Sequence, residues 1–231
     1  FRIIGITLCL AIGIFCAKDT TFQLLLAPGD NHFITYRLIE SGARGMGWNF
    51  HFEPYTIQLI NTELASQFMT HVSTSIYLAL LFVSPYIVIE LYRYIAPALY
   101  ENERRYSVSV AVAIYVLFLI GVLMSYYVLF PFALRFLGTY QVAASVVNQI
   151  NLDSYISTFV TLTLLMGLVF QLPVVSFFLA KMGILQASFM KQYRRHAFVL
   201  IGIVSAVITP PDLFTCFMVM LPMYGLYELS I

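Results

Sequence analysis

Six stretches of the sequence are almost free of charged side chains, and polar or charged connections separate them. A helix needs roughly 20 mostly apolar residues to cross the hydrocarbon core of a bilayer, which is about 30 Å thick. The stretches therefore predict an all-α protein, a bundle of six membrane-spanning helices in one domain that covers residues 1–231. The predicted spans are residues 3–17, 68–92, 107–130, 154–180, 197–208 and 214–231.

The composition of the chain excludes a soluble domain. Hydrophobic residues make up 61% of the chain and charged residues only 10%, and the mean hydropathy is +0.87. Soluble domains carry about 25% charged residues. Twelve Lys and Arg residues must serve every connection, so a basic nucleic-acid surface is excluded. The three cysteines lie in apolar stretches and predict neither a disulfide framework nor a metal site.

The distribution of Lys and Arg predicts the orientation of the bundle. Connections on the cytoplasmic side of membrane proteins carry an excess of these cations. Eight of the 12 lie at Arg2 or in the connections 93–106 and 181–196. The other four are Lys18, Arg37, Arg44 and Arg135. The N-terminus and those two connections are therefore expected in the cytoplasm, and residues 18–67 and 131–153 outside.

The fifth and sixth helices are predicted to be short. Residues 197–208 rise only about 20 Å as a helix, less than the bilayer core. Either the bilayer thins there while the flanking cations snorkel, which would make one side of the molecule shallow, or neighbouring helices cover the short one. The long outer segment 18–67 is interpreted as a cap, in which the amphipathic residues 54–70 predict a helix that starts at Pro54.

The connection after the second span contains two acids that allow two interpretations. Pro97 prevents one continuous helix from joining the second and third spans. Glu101 and Glu103 then fall at the start of the third helix, where the helix dipole favours anions. In that position they can be capping residues, with Arg104 and Arg105 as anchors at the inner boundary. An exposed carboxylate beside lipid can equally accept a guanidinium group through two parallel hydrogen bonds.

Three polar residues near the later spans also allow a structural or a functional interpretation. Gln171 needs a partner in lipid, and the carbonyl that Pro173 leaves without a donor is one. A water-lined functional cavity is the alternative. Asp212 follows two prolines and precedes an apolar helix, which predicts an N-cap. Glu228 lies near the inner end of the sixth span, from which it can snorkel to the interface.

The sequence contains no pattern typical of an enzyme. The histidines lack H-E-x-x-H spacing, no G-x-S-x-G is present, and no glycine-rich loop precedes a lysine. We therefore expect no catalytic residues, no metal and no cofactor. A small-solute transporter would show two similar halves, but residues 1–106 and 107–231 show no repeat. An intramembrane protease would need a paired nucleophile and base, and no such pair is evident.

Four separated motifs resemble, in the same order, those of the TatC family, the multispanning subunit of the twin-arginine protein translocase. The motifs are residues 94–105, 170–174, 209–214 and 221–228, with sequences YIAPALYENERR, FQLPV, TPPDLF and LPMYGLYE. The similarity extends from the first span to the last residue. The outer segment 18–67 is the least similar part.

The resemblance implies a signal-peptide receptor in the bacterial cytoplasmic (inner) membrane. Such a receptor binds folded precursors whose signal peptides carry consecutive arginines. It recruits single-span subunits of the TatA and TatB type, and further copies of itself, and export uses the proton-motive force. The resemblance implies the lipid bilayer as surroundings and no nucleic-acid partner.

The resemblance also implies roles for individual residues. Glu103 matches the glutamate that engages the arginine pair. Tyr94, Pro97, Glu101, Arg104 and Arg105 complete the implied signal-peptide surface. The family supplies a second acceptor from an N-terminal His-Leu-x-Glu-Leu-Arg segment. This chain is expected to begin after that segment, which leaves the site incomplete and Glu101 as a weak substitute.

Two further motifs carry implied roles. Gln171 departs from the pattern, because many members have Glu there; the amide can still hydrogen-bond a signal peptide or a partner helix. Pro173, Asp212 and Glu228 are the other intramembrane polar or functional positions. Thr209 and Cys216 match the region where the family docks its partner subunits.

Overall fold

The computed structural model describes residues 2–48, 51–52, 55, 58–95, 107–141, 143, 148–181, 183, 185–209 and 212–231, with the backbone alone for 92, 94, 95, 107–109 and 187. Helices dominate this part of the chain, which confirms the all-α class. The helices are α1 (Arg2–Cys16), α2 (Lys18–Leu26), α3 (Ile34–Gly45), α4 (Ser66–Ile95), α5 (Ser107–Met124), α6 (Phe130–Thr139), α7 (Leu152–Val169), α8 (Leu172–Lys181), α9 (Ala187–Gln192), α10 (Arg194–Ile208) and α11 (Leu213–Leu229). The two strands are β1 (Gln58–Ile60) and β2 (Gln149–Asn151).

An apolar helix lies at each of the six predicted spans. By length and hydropathy, Ser66–Leu91, Val110–Thr139 and Leu152–Lys181 can each cross a membrane. The pair Arg2–Cys16 and Lys18–Gly45, bent by 86°, is a fourth candidate if it forms one span. α10 and α11 have 15 and 17 residues and fall short of that length, in agreement with the predicted short fifth and sixth helices.

Contacts between neighbouring helices show that successive apolar helices alternate in direction. The Phe15 ring near the end of α1 stacks on the His71 imidazole near the start of α4, with centroids 4.2 Å apart. At the other end of the chain, Arg194 in the first turn of α10 pairs with Glu228 in the last turn of α11. The α1 N-terminus and the α4 C-terminus therefore lie at one end of the bundle.

Two glycines allow α5 and α7 to approach closely. A Cβ atom added to Gly121 would lie 2.7 Å from the Met166 carbonyl oxygen, and one added to Gly167 would lie 2.5 Å from the Phe118 ring. One turn further along, the hydroxyl groups of Ser125 and Thr163 are 3.2 Å apart and buried. Small residues at a helix interface are a common device of membrane proteins, because they bring backbones together.

The Gly121→Ala variant is expected to lower the free energy of unfolding by about 1–3 kcal/mol. Its new methyl group would meet backbone, which cannot rotate away. Gly225→Ala in α11 is the matched control, since its Cβ atom would meet no other atom within 4 Å. That control is expected to hold or raise stability, because alanine is the better helix former. Thermal unfolding of both variants in detergent measures the difference. Equal melting temperatures would contradict this account of the interface.

The third span continues beyond its predicted end at Phe130. A single π-helical turn, Ser125–Leu129, follows α5, and α6 then runs on to Thr139. Pro131, the second residue of α6, lies inside this continuous helix and removes one backbone donor. Residues 131–139 therefore extend the helix and do not form part of an outer loop.

The described part of the outer segment contains α2, a short 3-10 helix (Ala27–Gly29), α3 and one strand of a parallel pair. β1 pairs with β2 in the register Gln58 to Gln149 and Ile60 to Asn151. The predicted helix over residues 54–70 is wrong where it crosses β1, and α4 begins only at Ser66. Pro54 itself lies outside the described residues. The amphipathic pattern gave the wrong prediction because the backbone of β1 forms its hydrogen bonds with β2. That strand lies 91 residues away, counted from Gln58 to Gln149.

Candidate functional site

The predicted signal-peptide surface lies between α4 and α5. The structure does not describe the side chains of this surface. They belong to Tyr94, Pro97, Glu101, Glu103, Arg104 and Arg105, and of these residues only the backbone of Tyr94 is described. What the structure gives is their setting. α4 ends at Ile95 and α5 begins at Ser107, and the C-terminus of α4 lies at the bundle end that also carries the α1 N-terminus.

One ion pair borders this connection. Arg93 Nη1 lies 3.3 Å from Glu90 Oε1, one turn earlier in α4, and both side chains are open to the surroundings. Exposed pairs of this kind contribute little to stability. Each partner does, however, neutralise the other, so the last turn of α4 adds little net charge beside the connection.

The Gln171 side chain is buried at the break between α7 and α8. The residue is 5% exposed, and its Nε2 atom donates to the Ile114 carbonyl at 3.1 Å and to the Gly167 carbonyl at 3.5 Å. The carbonyl freed by Pro173 is therefore not its acceptor in this structure, because the chain turns at 170–171 and Pro173 falls in the first turn of α8. The Gln171 amide nitrogen instead connects α5 to α7 through the carbonyls of Ile114 and Gly167.

The amide oxygen of Gln171 has no hydrogen-bond partner among the described residues. A buried acceptor without a donor costs free energy, about 1–3 kcal/mol. Such an atom can accept a hydrogen bond from an incoming polar side chain. The geometry thus supports the structural interpretation for the nitrogen, while the buried oxygen has no donor among the described residues.

Asp212 is the N-cap of α11, as the sequence predicts. Its Oδ1 atom accepts from the Thr215 backbone N–H at 2.6 Å. The adjacent Phe214 ring stacks on Phe136 of α6, with centroids 4.7 Å apart. The corner between α10 and α11 is therefore held by a cap and by an aromatic contact to the third span.

Thr209 and Cys216 meet at the same polar residue between α10 and α11. The Thr209 hydroxyl donates to the Ser205 carbonyl at 2.9 Å, and the Cys216 sulfur lies 3.3 Å from the Ser205 hydroxyl. Thr209 and Ser205 are both buried. The Cys216–Ser205 contact therefore joins α11 to α10, whereas the Thr209 hydrogen bond stays within the last turn of α10.

The outward surface of the two short helices is apolar, a feature that the sequence motifs missed. Large apolar side chains are exposed along both helices: Val199, Leu200, Ile203, Val207, Leu213, Phe217 and Leu221. The alternation of buried polar and exposed apolar residues in α10 is the signal that could have identified it.

Glu228 does not snorkel alone to the interface. Its Oε2 atom lies 2.7 Å from Arg194 Nη2, and its Oε1 atom accepts from the Tyr224 hydroxyl at 2.9 Å. A cation in the first turn of a helix opposes the helix dipole. Glu228 offsets that charge and joins the two short helices at their inner ends.

Tyrosine and threonine hydroxyls attach the outer segment to the third span, and the sequence did not indicate these contacts. Tyr36 donates to the Pro131 carbonyl at 2.8 Å, and Thr35 donates to the Tyr127 carbonyl. Pro131 has no N–H group with which to reach Tyr127, four residues earlier. The Thr35 hydroxyl therefore supplies the hydrogen bond that the helix itself cannot make.

A cluster of aromatic rings surrounds the Arg135 guanidinium at the same junction. Its Cζ atom lies 4.6 Å from the Phe52 ring centroid, 4.8 Å from Tyr55 and 5.3 Å from Tyr36, distances typical of cation–π contacts. Burial raises the pKa of the Tyr55 hydroxyl, which lies 3.3 Å from that of Tyr36. The two phenols therefore stay protonated at neutral pH and can hydrogen-bond each other.

Comparison with known proteins gives a consistent result. Residues 1–222 match the TatC family, described as Sec-independent protein translocase protein. The TatC protein of Blattabacterium sp. subsp. Periplaneta americana (strain BPLAN) is 33% identical over 218 residues, which cover 93% of this chain and 82% of that protein. The TatC protein of Helicobacter pylori (strain ATCC 700392 / 26695) is 39% identical over 177 residues, 77% of this chain and 70% of that protein.

A solved structure shares the fold. A crystal structure of the twin-arginine translocase receptor TatC in DDM matches with a TM-score of 0.71 at 24% identity, covering 99% of this chain and 96% of that chain. The family match, the relatives above 30% identity and the shared fold agree with the four motifs of the sequence. The chain belongs to the TatC family of Sec-independent protein translocase proteins.

Proposed function

We propose that this chain is the signal-peptide receptor and core subunit of a bacterial twin-arginine translocase. It exports folded proteins with the proton-motive force and with single-span partner subunits of the TatA and TatB type. The observation that carries the proposal is the family match over residues 1–222. A member of this family is a multi-pass membrane transport protein and not an enzyme.

In this proposal residues 1–231 form one membrane domain whose inner end carries the receptor site. The orientation places the N-terminus and the connections 93–106 and 181–196 in the cytoplasm. The antiparallel packing of α1 against α4 supports it, because it brings Arg2 and the end of α4 to one end of the bundle. The sequence of the N-terminus and of these two connections contains eight of the 12 Lys and Arg residues.

Glu103 is the proposed acceptor for the arginine pair of the signal peptide. A carboxylate accepts two parallel hydrogen bonds from the planar guanidinium fork, which the compact ammonium of lysine cannot donate. Among the described residues, Arg93 near the end of α4 pairs with Glu90. Tyr94, Pro97 and Glu101 shape the surroundings of the acceptor, and Arg104 and Arg105 anchor the loop at the lipid boundary.

The partner subunit is proposed to pack on the exposed apolar face of α10 and α11. Behind that face, Cys216 contacts Ser205 across the two helices, and buried Thr209 closes the end of α10. The unpartnered oxygen of Gln171 is a second contact, available to a donor on a signal peptide or a partner helix.

Complementation tests the function as a whole. This protein, expressed in a bacterial strain that lacks its own TatC protein, is expected to restore export of a folded reporter that carries a twin-arginine leader. The matched control is the same reporter with a twin-lysine leader, which should stay in the cytoplasm because lysine cannot form the forked contact. Export of both reporters, or of neither at normal protein levels, would refute the proposal.

A further inference from the structure

A short segment at the inner end of the bundle, residues 187–196, is held rigidly against α11. We name it the inner elbow; it consists of α9 and the first turn of α10. Met190 in its middle is buried, and its carbonyl accepts from the Tyr227 hydroxyl at 2.8 Å. The ion pair of Arg194 with Glu228 is a second contact that holds the elbow against α11. The outward side of the elbow therefore has a defined shape.

That outward side presents a row of rings in tilted contact. Phe189 and Tyr193 lie 4.4 Å apart between ring centroids, and Tyr193 lies 5.4 Å from His196. Phe189 is 52% exposed and Tyr193 40% exposed. Rings that combine an apolar body with a polar edge favour the headgroup level of a bilayer over both water and hydrocarbon.

Two cations accompany the row of rings. The Lys191 and Arg195 side chains are exposed, and neither forms an ion pair with a residue that the structure describes. Arg194, between them in sequence, is neutralised by Glu228. Residues 181–196 contain no acidic side chain. The elbow therefore carries an excess of positive charge on its outward side.

The length of α10 places these cations at the level of the lipid headgroups. Its 15 residues rise about 22 Å, less than the roughly 30 Å of a hydrocarbon core. Arg195, in the first turn, cannot extend far beyond the headgroup layer if the other end of α10 stays near the opposite boundary. Phosphate oxygens at that depth accept hydrogen bonds from guanidinium and ammonium groups.

We propose that the inner elbow is a binding surface for anionic phospholipid headgroups. Lys191 and Arg195 contact the phosphate of an anionic lipid, and the Phe189–Tyr193–His196 row lies among the upper acyl carbons. A free phosphate ion would share the charge contact but gain nothing from the rings, so the surface is assigned to lipid. This property is separate from the recognition of signal peptides.

Native mass spectrometry of the whole chain in detergent tests the proposal. The protein is titrated with phosphatidylglycerol or with phosphatidylcholine of the same acyl chains, and phosphatidylglycerol is expected to bind more tightly. The double variant Lys191→Gln/Arg195→Gln should weaken phosphatidylglycerol binding roughly thirtyfold, about fivefold per cation, and leave phosphatidylcholine binding unchanged.

Two matched variants complete the experiment. Arg37→Gln/Arg44→Gln removes the same charge from the outer segment and should leave lipid binding unchanged. Lys191→Arg/Arg195→Lys keeps the charge and should also leave it unchanged. Equal binding of the two lipids, equal loss in the outer variant, or displacement of phosphatidylglycerol by inorganic phosphate would overturn the proposal. Binding of a twin-arginine peptide is expected to persist in the elbow variant, and its selective loss would instead assign the elbow to a protein partner.

Discussion

A Glu103→Gln variant is expected to bind a twin-arginine peptide at least thirtyfold more weakly than the unmodified protein. The change keeps the shape of the side chain and removes its charge, so a guanidinium that leaves water would face a neutral amide. Losing one partner of a desolvated charge pair costs on the order of 2–5 kcal/mol. Titration of the detergent-solubilised protein with a labelled peptide measures the affinity directly.

The charge-reversed variant Glu103→Lys should be weaker still, because it adds a third cation to Arg104 and Arg105. Glu101→Gln is the control: it removes one charge from the same loop and is expected to reduce affinity only severalfold. A twin-lysine peptide provides a second control, which should bind weakly to every variant. If Glu103→Gln bound the twin-arginine peptide as tightly as the unmodified protein, the assignment of Glu103 would be wrong.

The second large effect is expected at Gln171. Its amide nitrogen donates to the carbonyls of Ile114 and Gly167, so a glutamate there would place a carboxylate oxygen against two carbonyl oxygens. A buried charge without a partner costs several kcal/mol. We expect Gln171→Glu to lower the free energy of unfolding by about 3–5 kcal/mol at neutral pH. Thermal unfolding in detergent is the measurement.

The control for this prediction is Gln171→Met, which keeps the length of the side chain and removes its polar atoms. Its expected cost is about 1–2 kcal/mol, because the Ile114 carbonyl loses a donor but no charge is buried. Equal stability of Gln171→Glu and the unmodified protein would mean that the amide nitrogen is dispensable.

The features that could be predicted from the sequence are those that depend on nearby residues. The scarcity of charge is enough to predict the membrane helices and the short α10 and α11. Asp212 could be assigned as an N-cap because its acceptor role involves Thr215, only three residues away. The motif resemblance identified the family because it depends on residue identity and order, which the sequence contains in full.

The features that could not be predicted depend on residues far apart in the chain. Glu228 pairs with Arg194, Gln171 bonds the carbonyl of Ile114, and β1 pairs with a strand after the third span. Each requires the register between two helices or strands, which the hydrophobic pattern of either one does not contain. The π-helical turn has no residue signature of its own, so the third span was predicted too short.

The Thr35 contact with the Tyr127 carbonyl means that the outer segment supplies a hydrogen bond that a transmembrane helix lacks. Deletion of that segment would leave the Tyr127 carbonyl without a hydrogen-bond donor in apolar surroundings, where no water can replace the Thr35 hydroxyl. Replacement of Pro131 by a residue with a backbone N–H group would let the helix form its own hydrogen bond to the Tyr127 carbonyl. The Thr35 hydroxyl would then no longer be needed. The defect is therefore one-sided: a chimera that keeps Pro131 but loses Thr35 leaves the Tyr127 carbonyl without this donor.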